Sequence, residues 1–199
     1  MNFFVFCSFI LLSEIKMKSR FSTFDIISIL EELQEYLGMR VNQVYDIDNK
    51  SYLIKLNQPD KKTVLLIESG IRLHTTEFDW PKNPAPSGFS MKLRKHINNK
   101  RLEKVKQVGV DRVVDLQFGS GEAAYHLILE MYNIQSIFTH SFDDTMFRYD
   151  RGNLVLTDWE YKILNILRPR VAGEEKFLGM SITLLILLIN LVINWLFIL

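Results

Sequence analysis

The chain has 199 residues and a formal net charge of +1, so it is no generic polyanion binder and any nucleic-acid surface on it must be local. Cys7 is the only cysteine, which excludes an internal disulfide and a multi-cysteine zinc site and fits a reducing compartment. The four histidines, His74, His96, His126 and His140, lack metal-ligand spacing, and no cofactor is implied.

Residues 3–12 form an apolar run shorter than the about 20 residues that span a bilayer. The basic residues Lys16, Lys18 and Arg20 follow this run, whereas a signal peptide carries them ahead of it. Residues 1–16 therefore read as an upstream extension, with Met17 as the usual start. From Ser22 the pattern turns helical. Ile26, Ile29, Leu30, Leu33 and Leu37 recur at three- and four-residue steps over 22–37. Ser22 and Asp25 have capping-box spacing, and Gly38 is the stop.

The period then changes to that of strands. Residues 41–47 and 52–56 predict a hairpin around Asp48-Asn49-Lys50, and 64–67 and 71–74 predict two further strands. Pro81, Pro84 and Pro86 make 75–86 a loop. Ser87 caps a second helix whose apolar stripe is Phe89, Leu93 and Ile97. Strands are expected over 113–118 and 125–131, joined by Gly119-Ser120-Gly121, and over 154–156, with a short closing helix over 158–167. His126 falls in an alternating strand and reads as a core histidine. Many strands and few helices give an α+β domain, sheet-rich with flanking helices.

One stretch stands out by charge. Seven Lys and Arg lie between Lys92 and Lys106, opposed only by Glu103. Such a run neutralises phosphates and positions RNA without reading sequence. Lys92, Arg94, Lys95, Lys100, Arg101 and Lys104 are the candidate contacts, with a solvated helix face as the rival reading. Just downstream, Asp111 and Arg112 sit side by side where a loop enters a strand. Arg forks onto phosphates or stacks on bases, and Asp accepts hydrogen bonds from base edges or a 2′-hydroxyl. The rival here is an ordinary loop ion pair. At the other end, residues 178–199 carry no charge and, as a helix, would cover the hydrocarbon core. They read either as a transmembrane anchor or as sequence replacing a natural continuation.

Several segments together carry a family resemblance: Met17-Lys18-Ser19-Arg20-Phe21-Ser22-Thr23, Gly38-Met39-Arg40-Val41-Asn42, and Glu68-Ser69-Gly70-Ile71-Arg72-Leu73-His74-Thr75-Thr76-Glu77-Phe78. They continue in order with Pro86-Ser87-Gly88-Phe89, Lys92-Leu93-Arg94-Lys95-His96, Gly109-Val110-Asp111-Arg112 and Tyr149-Asp150-Arg151-Gly152-Asn153-Leu154. From Met17 to about Phe177 the chain resembles the N-terminal domain of the nuclear export mediator factor (NEMF) and ribosome quality control complex subunit 2 family. It departs from the pattern at 1–16, at an apparent insertion over 133–148, and from Leu178 onward. The later family domains have no counterpart, so the resemblance implies a truncated or alternatively spliced product. The domain expected is 17–177.

The resemblance implies a fold like that of the N-terminal domain of formamidopyrimidine-DNA glycosylases. It implies a cytoplasmic, ribosome-associated module that binds the large ribosomal subunit, peptidyl-tRNA and aminoacyl-tRNA. In full-length relatives the work extends to tailing of the nascent chain and recruitment of a Listerin-type ubiquitin ligase. Because the ribosome makes the peptide bond, the domain need not be an enzyme. Glycosylase chemistry is not expected: Lys18-Ser19 follow Met17 where those enzymes have a nucleophilic proline and a glutamate, and their zinc finger is missing. The residues implied in tail synthesis are Asp25, Asp111 and Arg112. For Asp25, helix capping is the simpler alternative. Arg72, His74 and Glu77 are expected to be structural or secondary RNA contacts. A membrane-anchored interaction protein and a non-functional truncated isoform are the alternative functions.

Overall fold

The computed structural model describes residues 20–109, 112–131 and 152–169, and the backbone of 171–172 and 175–176. The extension 1–16, the insertion 133–148, Asp111 and the apolar tail 178–199 lie outside the described residues. Among the described residues no helix is long and apolar enough to cross a membrane.

Helix α1 (Thr23–Leu33) starts where the sequence places it and ends four residues short of the expected Leu37. Ser22 is its N-cap, and the capping box with Asp25 closes in both directions. Ile26, Ile29 and Leu33 are buried along one face. A 3₁₀ turn (Gln34–Tyr36) follows. Gly38 then takes φ +83°, a left-handed conformation that only glycine adopts cheaply.

Strands β1 (Arg40–Asp46), β2 (Ser51–Gln58), β3 (Lys61–Glu68) and β4 (Arg72–Thr76) form an antiparallel meander in sequence order. Its first turn is closed by Asp48, whose Oδ1 accepts from the N–H groups of Lys50 (2.8 Å) and Ser51 (2.7 Å). Helix α2 (Gly88–Ile97) is capped by Ser87 and buries Phe89, Leu93 and Ile97. Its start is fixed by buried Asp46, whose Oδ2 accepts from Ser87 N–H at 3.0 Å.

A second antiparallel sheet holds β5 (Leu102–Gln107), β6 (Val113–Phe118), β7 (Tyr125–Glu130), β8 (Leu154–Asp158) and β9 (Ile163–Ile166), again in order. Two short strands, β10 (Val171–Ala172) and β11 (Glu175–Lys176), pair with each other. Apolar residues from both sheets and both helices build one core, from Ile26 on α1 and Leu93 on α2 to Leu116 and Leu127 in the second sheet. This is the expected α+β class, with two sheets and few helices.

The sheets are stitched together at two places. At the first, Gly38 N–H donates to Leu102 O (2.7 Å), Leu102 N–H to Met39 O (2.9 Å) and Val41 N–H to Lys100 O (2.8 Å). The second lies where the chain re-enters β8. Ser69 Oγ donates to Gly152 O at 2.8 Å, and Arg168 Nη1 donates to both Ser69 Oγ (2.9 Å) and Gly152 O. Asn153 Oδ1 accepts from the N–H groups of Leu154 and Arg168, both at 3.0 Å. This lock gives the Gly152-Asn153 element of the motif a physical reason.

Two expectations need correction. The predicted closing helix over 158–167 is a hairpin that leads into β9. Asp158 Oδ1 accepts from Glu160 N–H (3.0 Å) and Lys162 N–H (2.9 Å), and Tyr161 turns the chain at φ +62°. Ile163, Ile166 and Leu167 have helical spacing, but a short apolar run does not distinguish helix from strand. The basic run is also not one helix face. It leaves α2 after Ile97, turns through Asn99 at φ +60°, and continues along β5.

Candidate nucleic-acid interface

The N-terminus of α1 is held from two directions. Phe21 N–H donates to Ile71 O at 2.9 Å, beside the β3–β4 turn. Phe21 O accepts from Arg112 Nη1 at 3.4 Å. Arg112 is itself placed by its carbonyl, which accepts from Met131 N–H at 2.8 Å. The β5–β6 turn that carries it is closed by Val108 N–H donating to Val113 O at 2.9 Å, with Gly109 at φ +61°.

Residues 87 positions apart in sequence, Asp25 and Arg112, thus belong to the same end of α1. The Asp25 carboxylate accepts from Ser22 N–H (2.6 Å) and Ser22 Oγ (2.7 Å). It therefore caps the helix, at the terminus where the peptide dipoles favour negative charge. Beside it Phe24 is 81% exposed and Ile27 53% exposed, so the acid is flanked by uncovered apolar surface. The arrangement offers a cation, an acceptor and an aromatic ring within one region.

The basic run is spread over three elements. Lys92 and Lys95 stand exposed on α2. Arg94 is turned inward: its Nε donates to Val44 O at 2.7 Å, which ties α2 to β1, and its guanidinium lies 5.7 Å from the Tyr45 ring centre. In the turn, Arg101 is exposed and Lys100 lies over the Tyr125 ring at 5.6 Å. Lys104 is exposed on β5. His96, between the two exposed helix lysines and the Tyr125 ring, has its pKa held below the usual histidine value by burial and by the charges of Lys95 and Lys92.

Lys106 has a different setting. Its Nζ lies 3.3 Å from Asp115 Oδ2 and 3.3 Å from the Tyr161 hydroxyl. Asp115 is buried, accepts from the Tyr161 hydroxyl at 3.0 Å and is 2.9 Å from His126 Nδ1. Burial pushes the Asp115 carboxyl up, yet the His126 contact and the Lys106 charge outweigh it and hold the group below its ordinary range. Burial likewise lowers Lys106, but Asp115 and Tyr161 leave its pKa raised. His126 is thus a partnered core histidine, as its alternating strand suggested.

Of the secondary residues, Arg72 pairs with Glu68 at 2.9 Å and lies 5.9 Å from the Trp80 ring centre. His74 Nδ1 is 2.7 Å from Thr75 O. Among the described residues, no three His, Cys, Asp or Glu side chains are grouped to hold a metal ion. Sequence reasoning missed the Ser69–Gly152–Arg168 lock and the Lys106–Asp115–His126–Tyr161 network. Only the alternation that puts Asp115 and His126 on paired strands pointed toward the second.

The family signature described as NFACT N-terminal and middle domains matches residues 22–138. The chain belongs to the NFACT family. Asp25, the basic run and Arg112 all lie inside the NFACT match. The human protein named Ribosome quality control complex subunit NEMF is 59% identical over 164 residues, covering 81% of this chain and 14% of that relative. The Drosophila melanogaster homolog of the same name is 58% identical over 161 residues, covering 80% of this chain and 14% of the fly protein. The chain therefore spans about a seventh of the curated relatives it matches. Among solved structures, the N-terminal domain of the fibronectin-binding protein PavA from Streptococcus pneumoniae superposes with a TM-score of 0.65 at 20% identity. That likeness covers 81% of this chain and 61% of the bacterial one, and establishes the NFACT N-terminal fold.

Proposed function

We propose that this NFACT domain is an RNA-contact module of ribosome-associated quality control. It would bind tRNA and the large ribosomal subunit that still holds stalled peptidyl-tRNA, in the cytoplasm. The relatives that carry the subunit name support the process. The observation that carries the molecular reading is the bond of Arg112 to the Phe21 carbonyl, at the end of α1 that the Ser22–Asp25 cap closes; the exposed cations Lys92, Lys95, Arg101 and Lys104 support it. The module positions RNA and leaves bond-making to the ribosome. Tailing of the nascent chain and recruitment of a Listerin-type ligase belong to the full-length relatives, to which this domain contributes the RNA contact.

Charge reversal of the exposed cations tests this. The triple change Lys92→Glu, Lys95→Glu, Lys104→Glu should lower the affinity for deacylated tRNA and flatten its salt dependence. Unchanged tRNA affinity and salt slope in the folded triple variant would remove the basic run from the interface.

A further inference from the structure

Arg94 leaves the basic run on α2 and reaches over β1, the outermost strand of the first sheet. Its Nε is taken by Val44 O, and the rest of its guanidinium has no hydrogen-bond partner among the described residues. It ends beside the Tyr45 ring, where two further cations arrive. Tyr45 and Leu53 are cross-strand partners, so Lys55, two residues beyond Leu53, projects to the same face as Tyr45. The Lys55 Nζ lies 5.2 Å from the Tyr45 ring centre. Lys82 comes from the proline-rich loop, which Asn83 N–H pins to Asp46 O at 2.9 Å. The Lys82 Nζ lies 5.7 Å from the same ring centre.

The cluster holds more positive charge than it pairs. Lys55 and Arg94 make no ion pair among the described residues. Lys82 pairs with Asp79 at 2.6 Å, an acid whose side chain is 90% exposed. The hydrogen bond and charge of Lys82, and then the charge of Lys55, hold the Asp79 carboxyl below its ordinary range. One exposed anion thus already feels two of the three cations. Asp46, next in β1, is buried on the opposite face, where it accepts from Ser87 N–H. An exposed pair such as Lys82–Asp79 is of small worth, so a phosphate that meets all three cations replaces it readily. The guanidinium fork of Arg94 matches phosphate geometry in particular. A peptide carboxylate uses the same chemistry, but Arg94 is followed on α2 by exposed Lys95, so the cluster continues the basic run and suits a chain charged at every unit. We propose that Arg94, Lys55 and Lys82 form a phosphate subsite, and that an RNA strand held by α2 continues around the edge of β1 to reach it. The inference rests on the RNA-contact reading above and deepens it by giving the RNA a path onto the first sheet.

The test uses the full chain and fluorescein-labelled deacylated tRNA, followed by anisotropy across a salt series. Lys55→Ala with Lys82→Ala should weaken binding about tenfold and reduce the slope of log K against log salt by about 2. Asp79→Asn removes the competing anion at an exposed position and should tighten binding about twofold, a gain that a purely structural role for the lysines does not give. This single change also decides the matter if the lysine variant melts early. Binding by Asp79→Asn that is unchanged or weaker would overturn the subsite, as would a lysine variant that keeps its affinity or loses it with the salt slope intact. If the subsite fails in this way while Lys92→Glu, Lys95→Glu, Lys104→Glu still loses tRNA, the RNA-contact reading stands. An oligoglutamate that binds the native chain but not the lysine variant, with tRNA binding equal in the two, would give the cluster to an acidic peptide and overturn it as an RNA site. A native chain that binds no tRNA would overturn the subsite and the RNA-contact reading together.

Discussion

Gly152 and Gly70 meet backbone against backbone, so that a Cβ added to Gly152 would overlap Gly70 Cα and the Glu130 carbonyl oxygen. The contact joins the β3–β4 turn of one sheet to the residues just ahead of β8 in the other, and neither partner is a side chain that could swing away. Gly152→Ala is expected to cost about 3 kcal/mol, the upper part of the range for overpacking a tight interior. Urea unfolding of the variant beside the native chain checks this. A loss below about 1 kcal/mol would mean that the two turns separate easily.

Asp115 is expected to tie stability to acid pH. Its carboxyl titrates below the ordinary value of 3.8, so the stabilisation is fully present above that pH and is lost as pH falls through the lower, folded-state value. Replacing the acid while Lys106 and His126 remain leaves a buried histidine without its acceptor. Asp115→Ala should therefore cost about 3 kcal/mol at neutral pH and flatten the acid limb of the stability curve. Unfolding measured from pH 7 down to pH 2 reads both effects.

Ser22 and Asp25 can be separated experimentally. Ser22→Ala removes the cap without changing charge and should cost about 1 kcal/mol. Asp25→Ala removes the carboxylate half of the capping box and leaves the backbone N–H of residue 25 on Ser22 Oγ. If the acid also touches RNA, the Asp25 variant should bind obstructed ribosomal subunits more weakly than the Ser22 variant at matched stability. Equal binding by the two would leave Asp25 a helix cap alone.

His96 should report the approach of phosphate. Its pKa is held down by burial and by Lys95 and Lys92, so the neutral ring dominates at pH 7. A phosphate bridging those lysines offsets their repulsion and raises the pKa. Imidazole titration by NMR with and without tRNA should show that upward movement, and tRNA should bind more tightly as pH falls toward 6. Without RNA, the depressed pKa means stability is full above the ordinary 6.5 and declines as pH falls through the folded-state value.

Local chemistry made much of the fold legible. Ile26, Ile29 and Leu33 announced α1, Ser22 and Asp25 its start, and Asp48-Asn49-Lys50 the first hairpin. The 158–167 segment misled because Ile163, Ile166 and Leu167 fit a helical stripe, while the decisive Asp158 cap and the pairing with β8 are tertiary. The site was legible in the same uneven way. The charge run is plain in sequence, but the inward turn of Arg94 onto Val44 depends on how α2 docks on β1. The approach of Arg112 to Phe21 spans 91 positions and follows only from sheet packing. The backbone contact between Gly70 and Gly152 leaves no signature but two glycines.

The most direct test of the RNA-contact account is binding of the chain to large ribosomal subunits that carry peptidyl-tRNA. The native chain is compared with Asp111→Ala, Arg112→Ala at moderate salt. The account expects the native chain to sediment with obstructed subunits and the double variant to do so markedly less. A folded native chain that stays in the supernatant, or a double variant that sediments equally well, would contradict it.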